Sequence, residues 1–198
     1  MVTWPVEVAV VRPDGTAITL RGLRRADREA WERVRRTNRD WLSPWESSVP
    51  GVVDEATSFH RMRRGFDRAA RQGRVVPFVI EADGQLVGQM HLFEIAWAWR
   101  RNAAAGYWLA REATGRGIAT WALAMLIDHG LTVTGLHRVE VNIRPENVTS
   151  LAVVRRLGLR EEGLHPRLIH VDGAWRDHLQ FAVTAEELPP GGLVGRLG

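Results

Sequence analysis

Gly106-Tyr107-Trp108-Leu109-Ala110-Arg111-Glu112-Ala113-Thr114-Gly115-Arg116-Gly117-Ile118-Ala119-Thr120-Trp121-Ala122-Leu123-Ala124 is the stretch that decides the fold. It opens as a short apolar run with aromatics, the pattern of a buried strand. Gly115 and Gly117 punctuate it. An alanine- and leucine-rich segment follows, through Met125, Leu126 and Ile127 to near Gly130, with the composition of a helix. Strand, glycine loop and helix start therefore succeed one another directly. The first turn of a helix has N–H groups without internal partners, and its dipole adds partial positive charge. Glycines admit a ligand close to the backbone, and Arg116 adds a full charge. A diphosphate suits such a place. A purely structural turn before a buried helix carries the same letters.

Working outward, residues 6–12 and 16–22 alternate apolar and polar around Pro13-Asp14-Gly15, a hairpin signal. An amphipathic helix is expected from Asp27 to about Arg39, ended by Trp41-Leu42-Ser43-Pro44-Trp45. A second helix is expected over Glu55 to Gln72, with Phe59, Met62 and Phe66 on one face. Residues 75–82 and 86–97 form strands joined at Asp83-Gly84. The loop's own strand runs to Ala110 and its helix spans 116–129. A strand covers 137–144. Asn147 opens a helix to about Leu157, with Gly158 as its C-cap. Residues 159–171 and 175–184 form a last hairpin around Asp172-Gly173. The end, 189–198, with Pro189-Pro190-Gly191-Gly192, is expected as a loose tail. The order implies an α+β fold, a twisted sheet with helices on both faces. The glycine loop would lie at the carboxyl end of its strand, where open sheets place ligands.

The 198 residues favour a single domain, 1–198. Cysteine is absent, which excludes disulfides, thiolate metal sites and a cysteine nucleophile. His137, His165, His170 and His178 lack a metal-binding spacing, so no metal is expected. No apolar run approaches the ~18 residues of a membrane span, and no secretory signal is visible. A cytoplasmic protein is the expectation, with neither a membrane nor a nucleic acid as direct partner. All 27 basic residues are arginine, yet the net charge is only +4. Arginine binds phosphate bidentately, but such a balance does not by itself indicate nucleic acid.

The loop is neither a Walker loop, since the chain has no lysine, nor a full dinucleotide fingerprint, since the third glycine is missing. Its spacing resembles the acyl-CoA loop of the GNAT superfamily of N-acetyltransferases, Gln/Arg-x-x-Gly-x-Gly/Ala. Here that pattern falls on Thr114-Gly115-Arg116-Gly117-Ile118-Ala119, with Thr114 departing from Gln or Arg. A second motif runs from Glu140-Val141-Asn142 through Asn147-Val148-Thr149-Ser150 to Leu157-Gly158-Leu159 and Glu162-Gly163. It resembles the strand, Asn-x-x-Ser helix, Leu-Gly-Phe and Glu-Gly segment of the same family. The aromatic Leu42-x-Pro-Trp45 and the segment 172–178 are similar to the RimJ/RimL-like branch, the ribosomal-protein alanine N-acetyltransferases. The resemblance covers about residues 16–184. It implies a GNAT-type, mostly antiparallel sheet.

By that resemblance, acetyl-CoA is the co-substrate. Gly115, Arg116, Gly117, Ile118, Ala119 and Thr120 hold its diphosphate. Trp108, Leu109 and Ala110 pair with the pantetheine arm like another strand. Asn147 bonds the pantetheine amides, although a helix N-cap is an equally good use of Asn. Trp41, Trp45 and His91 are assigned to the acceptor, the α-amine of a protein or another primary amine. A homodimer is one option for the assembly.

Acetyl transfer needs three things: removal of the ammonium proton, stabilisation of the oxyanion and protonation of the departing thiolate. Many family members use a tyrosine on the helix after Asn for the last task, but Val154 stands there. Ser150 lies one turn from Asn147 on the same face and offers a hydroxyl to the sulfur. It therefore joins the catalytic candidates as well as the cofactor set. Glu140 and Asn142 alternate onto one strand face and are the candidates on the base side, with Glu94 and His91 behind them. Direct transfer in a ternary complex is expected, because nothing resembles a covalent nucleophile set. Rival readings are an acyltransferase for a small amine, one using another donor such as succinyl-CoA, and a non-catalytic acyl-CoA or peptide-binding module.

Overall fold

The computed structural model describes residues 4–52 and 58–198. Its strands are β1 (Glu7–Val11), β2 (Ala17–Arg21), β3 (Val76–Ala82), β4 (Gln85–Ala96), β5 (Asn102–Leu109), β6 (Arg138–Ile143), β7 (Arg160–Val171) and β8 (Ala174–Thr184). They form one sheet in the order β1-β2-β3-β4-β5-β6-β8-β7. Every neighbouring pair is antiparallel except β5 with β6, which is parallel. The helices are α1 (Arg28–Thr37), α2 (Arg39–Leu42), α3 (Phe59–Arg71), α4 (Ile118–Asp128), α5 (Val148–Arg156) and α6 (Gly192–Leu197). This is the mixed, mostly antiparallel architecture expected.

Three tight turns carry the hairpins because their residues tolerate left-handed backbone. Asp83 and Gly84 have φ of 51° and 76°, and Asp172 and Gly173 have 48° and 74°. Two successive positive φ values are what a hairpin turn matched to the strand twist requires. In the β1/β2 turn Gly15 has φ of 85°, and the Thr16 N–H donates to Asp14 Oδ1 at 3.0 Å.

Helices cover both faces, as β4 makes plain. Gln89 accepts from Trp31 of α1 at 2.9 Å, and His91 stacks on Phe66 of α3 at 4.8 Å between ring centroids. Leu92 points the other way, toward Gly130 just after α4. α4 is buried nearly all round, with Ile118, Leu123, Leu126 and Ile127 fully sealed. A helix apolar on every side belongs inside the core rather than on its surface.

Several expected boundaries move. The helix placed at Glu55 is observed from Phe59, capped by the Ser58 hydroxyl, and its earlier residues 53–57 lie outside the described ones. α4 starts at Ile118, not 116, because Gly117 is left-handed. The end of the chain is not loose. α6 docks its first turn on the last residue of α4, with the Leu193 and Val194 N–H groups donating to Asp128 Oδ1 and Oδ2 at 2.8 and 2.9 Å. Leu193 is buried beneath it.

Candidate active site

The site begins where β5 and β6 part. They pair only over Asn102–Ala104 with Arg138–Glu140, and beyond that register they separate into a wedge. The closed end is locked by side chains. Glu140 Oε1 accepts from Arg138 Nε at 2.7 Å and Asn102 Nδ2 at 3.4 Å, and Oε2 accepts from Gln180 at 3.4 Å. Arg138 also grips Glu162, whose carboxyl its guanidinium holds down at about 2. Glu140 is thus a strut of the sheet, with its oxygens committed to protein donors.

Only alternate residues of β5 face the wedge. The Ala110 N–H donates to Val87 O of β4 at 2.8 Å, so Ala110 and Trp108 turn their amide groups to β4. The groups of Tyr107 and Leu109 turn to the open side. Of the three residues expected to pair with an amide arm, Leu109 alone is presented, and Tyr107 joins it.

The wedge leads to the glycine loop. A single 3-10 turn over Arg111–Ala113 precedes it, and the Thr114 hydroxyl turns back to donate to Arg111 O at 2.7 Å. Residue 114 therefore serves the loop's own structure, which explains why Gln or Arg is not needed there. Gly115 and Gly117 both adopt left-handed φ, 74° and 76°, a conformation glycine alone takes without strain. No side chain caps α4. Its first helical bond is Trp121 N–H to Gly117 O at 3.2 Å. The N–H groups of Ile118, Ala119 and Thr120 are left without helical partners. A Cβ on Gly115 would meet nothing within 4 Å, so the loop faces open space. An uncapped helix start, a glycine cradle and the exposed Arg116 fit a diphosphate.

On the other lip, Asn147 caps α5. Its Oδ1 accepts from the Ser150 N–H at 3.1 Å and the Thr149 hydroxyl at 3.0 Å. Tyr107 Oη donates to Ser150 Oγ at 3.2 Å, tying β5 to α5 across the wedge. Burial pushes the Tyr107 phenol up to about 12, so it stays protonated and remains a donor. The sequence marks Tyr107 only as the sole tyrosine. Its alternation with Leu109 was the available signal. Val154 is fully buried in the core, which leaves its position to packing.

The segment after α1 bridges the two lips. Trp41 Nε1 donates to Leu109 O at 3.2 Å, on the β5 side. Arg144, just past β6, donates to Pro44 O at 2.8 Å and lies over the Trp45 ring at 5.3 Å. Trp41 is thereby a wall of the wedge, anchored on β5. Arg35 lies over Trp108 at 5.3 Å and pairs with Glu46. His91 keeps a partly exposed edge, but its Nδ1 is shut from solvent without a partner. Burial pushes its pKa down to about 4, so it is neutral at pH 7. It lies on β4 beneath Phe66, one strand away from the wedge. Glu94 is exposed in the irregular stretch of β4, at φ 53°. Asn142 Oδ1 is buried and unpartnered, opposite Gln180. Among the described residues no cluster suited to a metal ion occurs, and no helix is long and apolar enough to cross a membrane.

A sheet parted at one parallel pair, opening onto an uncapped helix start, fits a ligand with a diphosphate and an extended amide arm, as an acyl-CoA-dependent transferase needs. The acetyltransferase (GNAT) domain family matches residues 17–160, and the chain belongs to that family, as an acetyl-CoA-dependent N-acetyltransferase. It is similar to Mycobacterium smegmatis RimJ, solved in complex with CoA-disulfide. That structure is 45% identical with a TM-score of 0.90, over 98% of this chain and 94% of that one. It is 27% identical to the [ribosomal protein uS5]-alanine N-acetyltransferase of Escherichia coli (strain K12), over 83% of this chain and 87% of that protein. It is 31% identical to the probable N-acetyltransferase YjcK of Bacillus subtilis (strain 168), over 52% of this chain and 56% of that protein.

Proposed function

We propose that this acetyltransferase modifies the N-terminal α-amine of a protein, ribosomal proteins being the leading class, by direct transfer in a ternary complex. The observation that carries the donor side is the wedge that opens onto the uncapped start of α4. Likeness to the uS5-alanine N-acetyltransferase over 83% of this chain supports the acceptor class, and a cytoplasmic setting goes with it.

Acetyl-CoA supplies an acetyl thioester. The N–H groups from Gly115 to Thr120 bind its diphosphate, and the open edge of Tyr107 and Leu109 pairs with its amide arm. Ser150 lies at the head of the wedge and hydrogen-bonds the sulfur as it departs. Tyr107 donates to Ser150 Oγ, which leaves the serine's own proton to point at the sulfur. Full proton donation by a serine alone is uphill, since thiols ionise near pKa ~8.5 and hydroxyls far higher, so the serine stabilises by hydrogen bonding. Asn142 keeps its Oδ1 sealed from solvent, and an amide takes no proton, so the ammonium proton leaves through water. Trp45 and the Arg35–Trp108 stack line the acceptor side.

Incubation with acetyl-CoA and a panel of peptides bearing native ribosomal N-termini, read by intact mass, tests the acceptor. Acetylation confined to the α-amine is expected. Modification of spermidine or an aminoglycoside instead sinks the protein acceptor. Donor binding without any transfer favours a binding module. The control is Gly115→Asp, whose side chain enters the open space of the loop; it sets a negative charge against the diphosphate and is expected to weaken acetyl-CoA binding at least tenfold by calorimetry, about 1.4 kcal/mol.

A further inference from the structure

The donor loop is held from outside the family-matched region. Arg12 ends the β1 side of the first hairpin, where the turn fixes its backbone. Its N–H donates to Thr16 O at 3.0 Å, and its carbonyl accepts from the Gly15 N–H at 2.9 Å. The side chain then crosses 104 positions in sequence to donate from Nη1 to Arg116 O at 2.9 Å. Nη2 pairs with Asp14 at 3.0 Å, and the guanidinium lies over Trp121 of α4 at 6.0 Å. The Arg12 side chain is only 15% exposed. A Cβ on Gly117 would come within 3.3 Å of Nη2.

The peptide plane between Arg116 and Gly117 is the one this contact fixes. With Gly117 on its far side, that plane reorients at little steric cost. In a trans peptide the carbonyl and the N–H point in opposite directions. Holding the Arg116 carbonyl toward the hairpin therefore aims the Gly117 N–H away from it, to the open side of the loop. A charged donor makes that bond stronger than a neutral one would.

We infer that Arg12 is a positioning residue for the donor: it sets the Arg116–Gly117 peptide so that the loop is shaped for a diphosphate before the donor arrives. The inference rests on the loop's proposed role. It has a signature that simple stabilisation lacks, because a donor without a diphosphate has nothing to gain from the clamp.

The test compares acetyl-CoA with acetyl-pantetheine, which ends before the diphosphate, in the full-length protein. Arg12→Gln is expected to raise KM for acetyl-CoA about tenfold, the loss of one charged hydrogen bond. Its kcat should stay within about twofold, and its kcat/KM for acetyl-pantetheine should match that of the unsubstituted protein. Arg12→Lys, which keeps a charged donor, should recover part of the loss. Equal losses with both donors reduce Arg12 to a general strut and overturn the inference. So does an unchanged KM for acetyl-CoA, or a fall in melting temperature with no change in donor selectivity. If Gly115→Asp, which does not touch Arg12, leaves acetyl-CoA binding intact, the loop assignment itself has failed, a result separable from every Arg12 outcome.

Discussion

Ser150 and Tyr107 are proposed to act as one unit, so their variants should not add. Ser150→Ala is expected to lower kcat by roughly 10- to 100-fold, the low end of proton-transfer effects, with acetyl-CoA affinity little changed. Tyr107→Phe removes the phenol that donates to Ser150 Oγ and should cost less, about three- to tenfold. The double variant should be no slower than Ser150→Ala, because Tyr107 works through the serine. Single-turnover rates check this, and multiplicative losses would separate the two residues. Asn147 and Ser150 were legible in the sequence because a cap and its partner lie three positions apart. The phenol was not, since its partner is 43 positions away and only the fold brings them together. The partners of Glu140 were hidden for a related reason. Strand alternation gives its face correctly, but not that Arg138, Asn102 and Gln180 fill that face with donors.

Elements were legible where their signals are local. Asp83-Gly84 and Asp172-Gly173 mark turns because the backbone there must be left-handed, and Gly115 and Gly117 mark the loop for the same reason. α6 was hidden because its cap comes from Asp128, 65 positions earlier, while Pro189-Pro190-Gly191-Gly192 has the composition of a loose end. Gly192 fits only as glycine. Its φ is 75°, and a Cβ would sit 2.5 Å from Asp128 Oδ2. Gly192→Ala is expected to displace α6 from α4 and to destabilise the protein by about 1–2 kcal/mol, the scale of a lost helix cap. For a chain of this size that lowers Tm by a few degrees, roughly 2–6 °C. Asp128→Asn keeps one of the two accepting oxygens and turns an amide donor toward the other N–H, so it should also lower Tm in the same calorimetric scan. An unchanged Tm in both variants would mean that α6 is held by its apolar contacts and not by the cap.

Across the whole molecule, stability should decline in mild acid. Burial holds His91 at about 4, well below the 6.5 of a free imidazole, and also lowers His129 and His178. Between pH 6.5 and 4 the unfolded chain binds protons that the folded His91 refuses, so stability rises with pH through that window and is lost as pH falls through it. Two and a half pKa units correspond to on the order of 3 kcal/mol at the acid end. Urea melts from pH 7 to 4 should show this slope, and His91→Gln should flatten it; an unchanged slope would place the effect elsewhere. The gap between β5 and β6 bears on the molecule as a whole in another way. A sheet that opens in its middle has edges where a closed sheet has none, and unpaired backbone is a template for any extended chain, including another copy. The Trp41 indole blocks one carbonyl of that edge. On the proposed binding mode, the donor's amide arm laid along Leu109 covers the rest as a further strand would. The co-substrate then doubles as a chaperone of the sheet, raising the stability of the fold by mass action, and a cell short of it would hold this protein in its stickiest form.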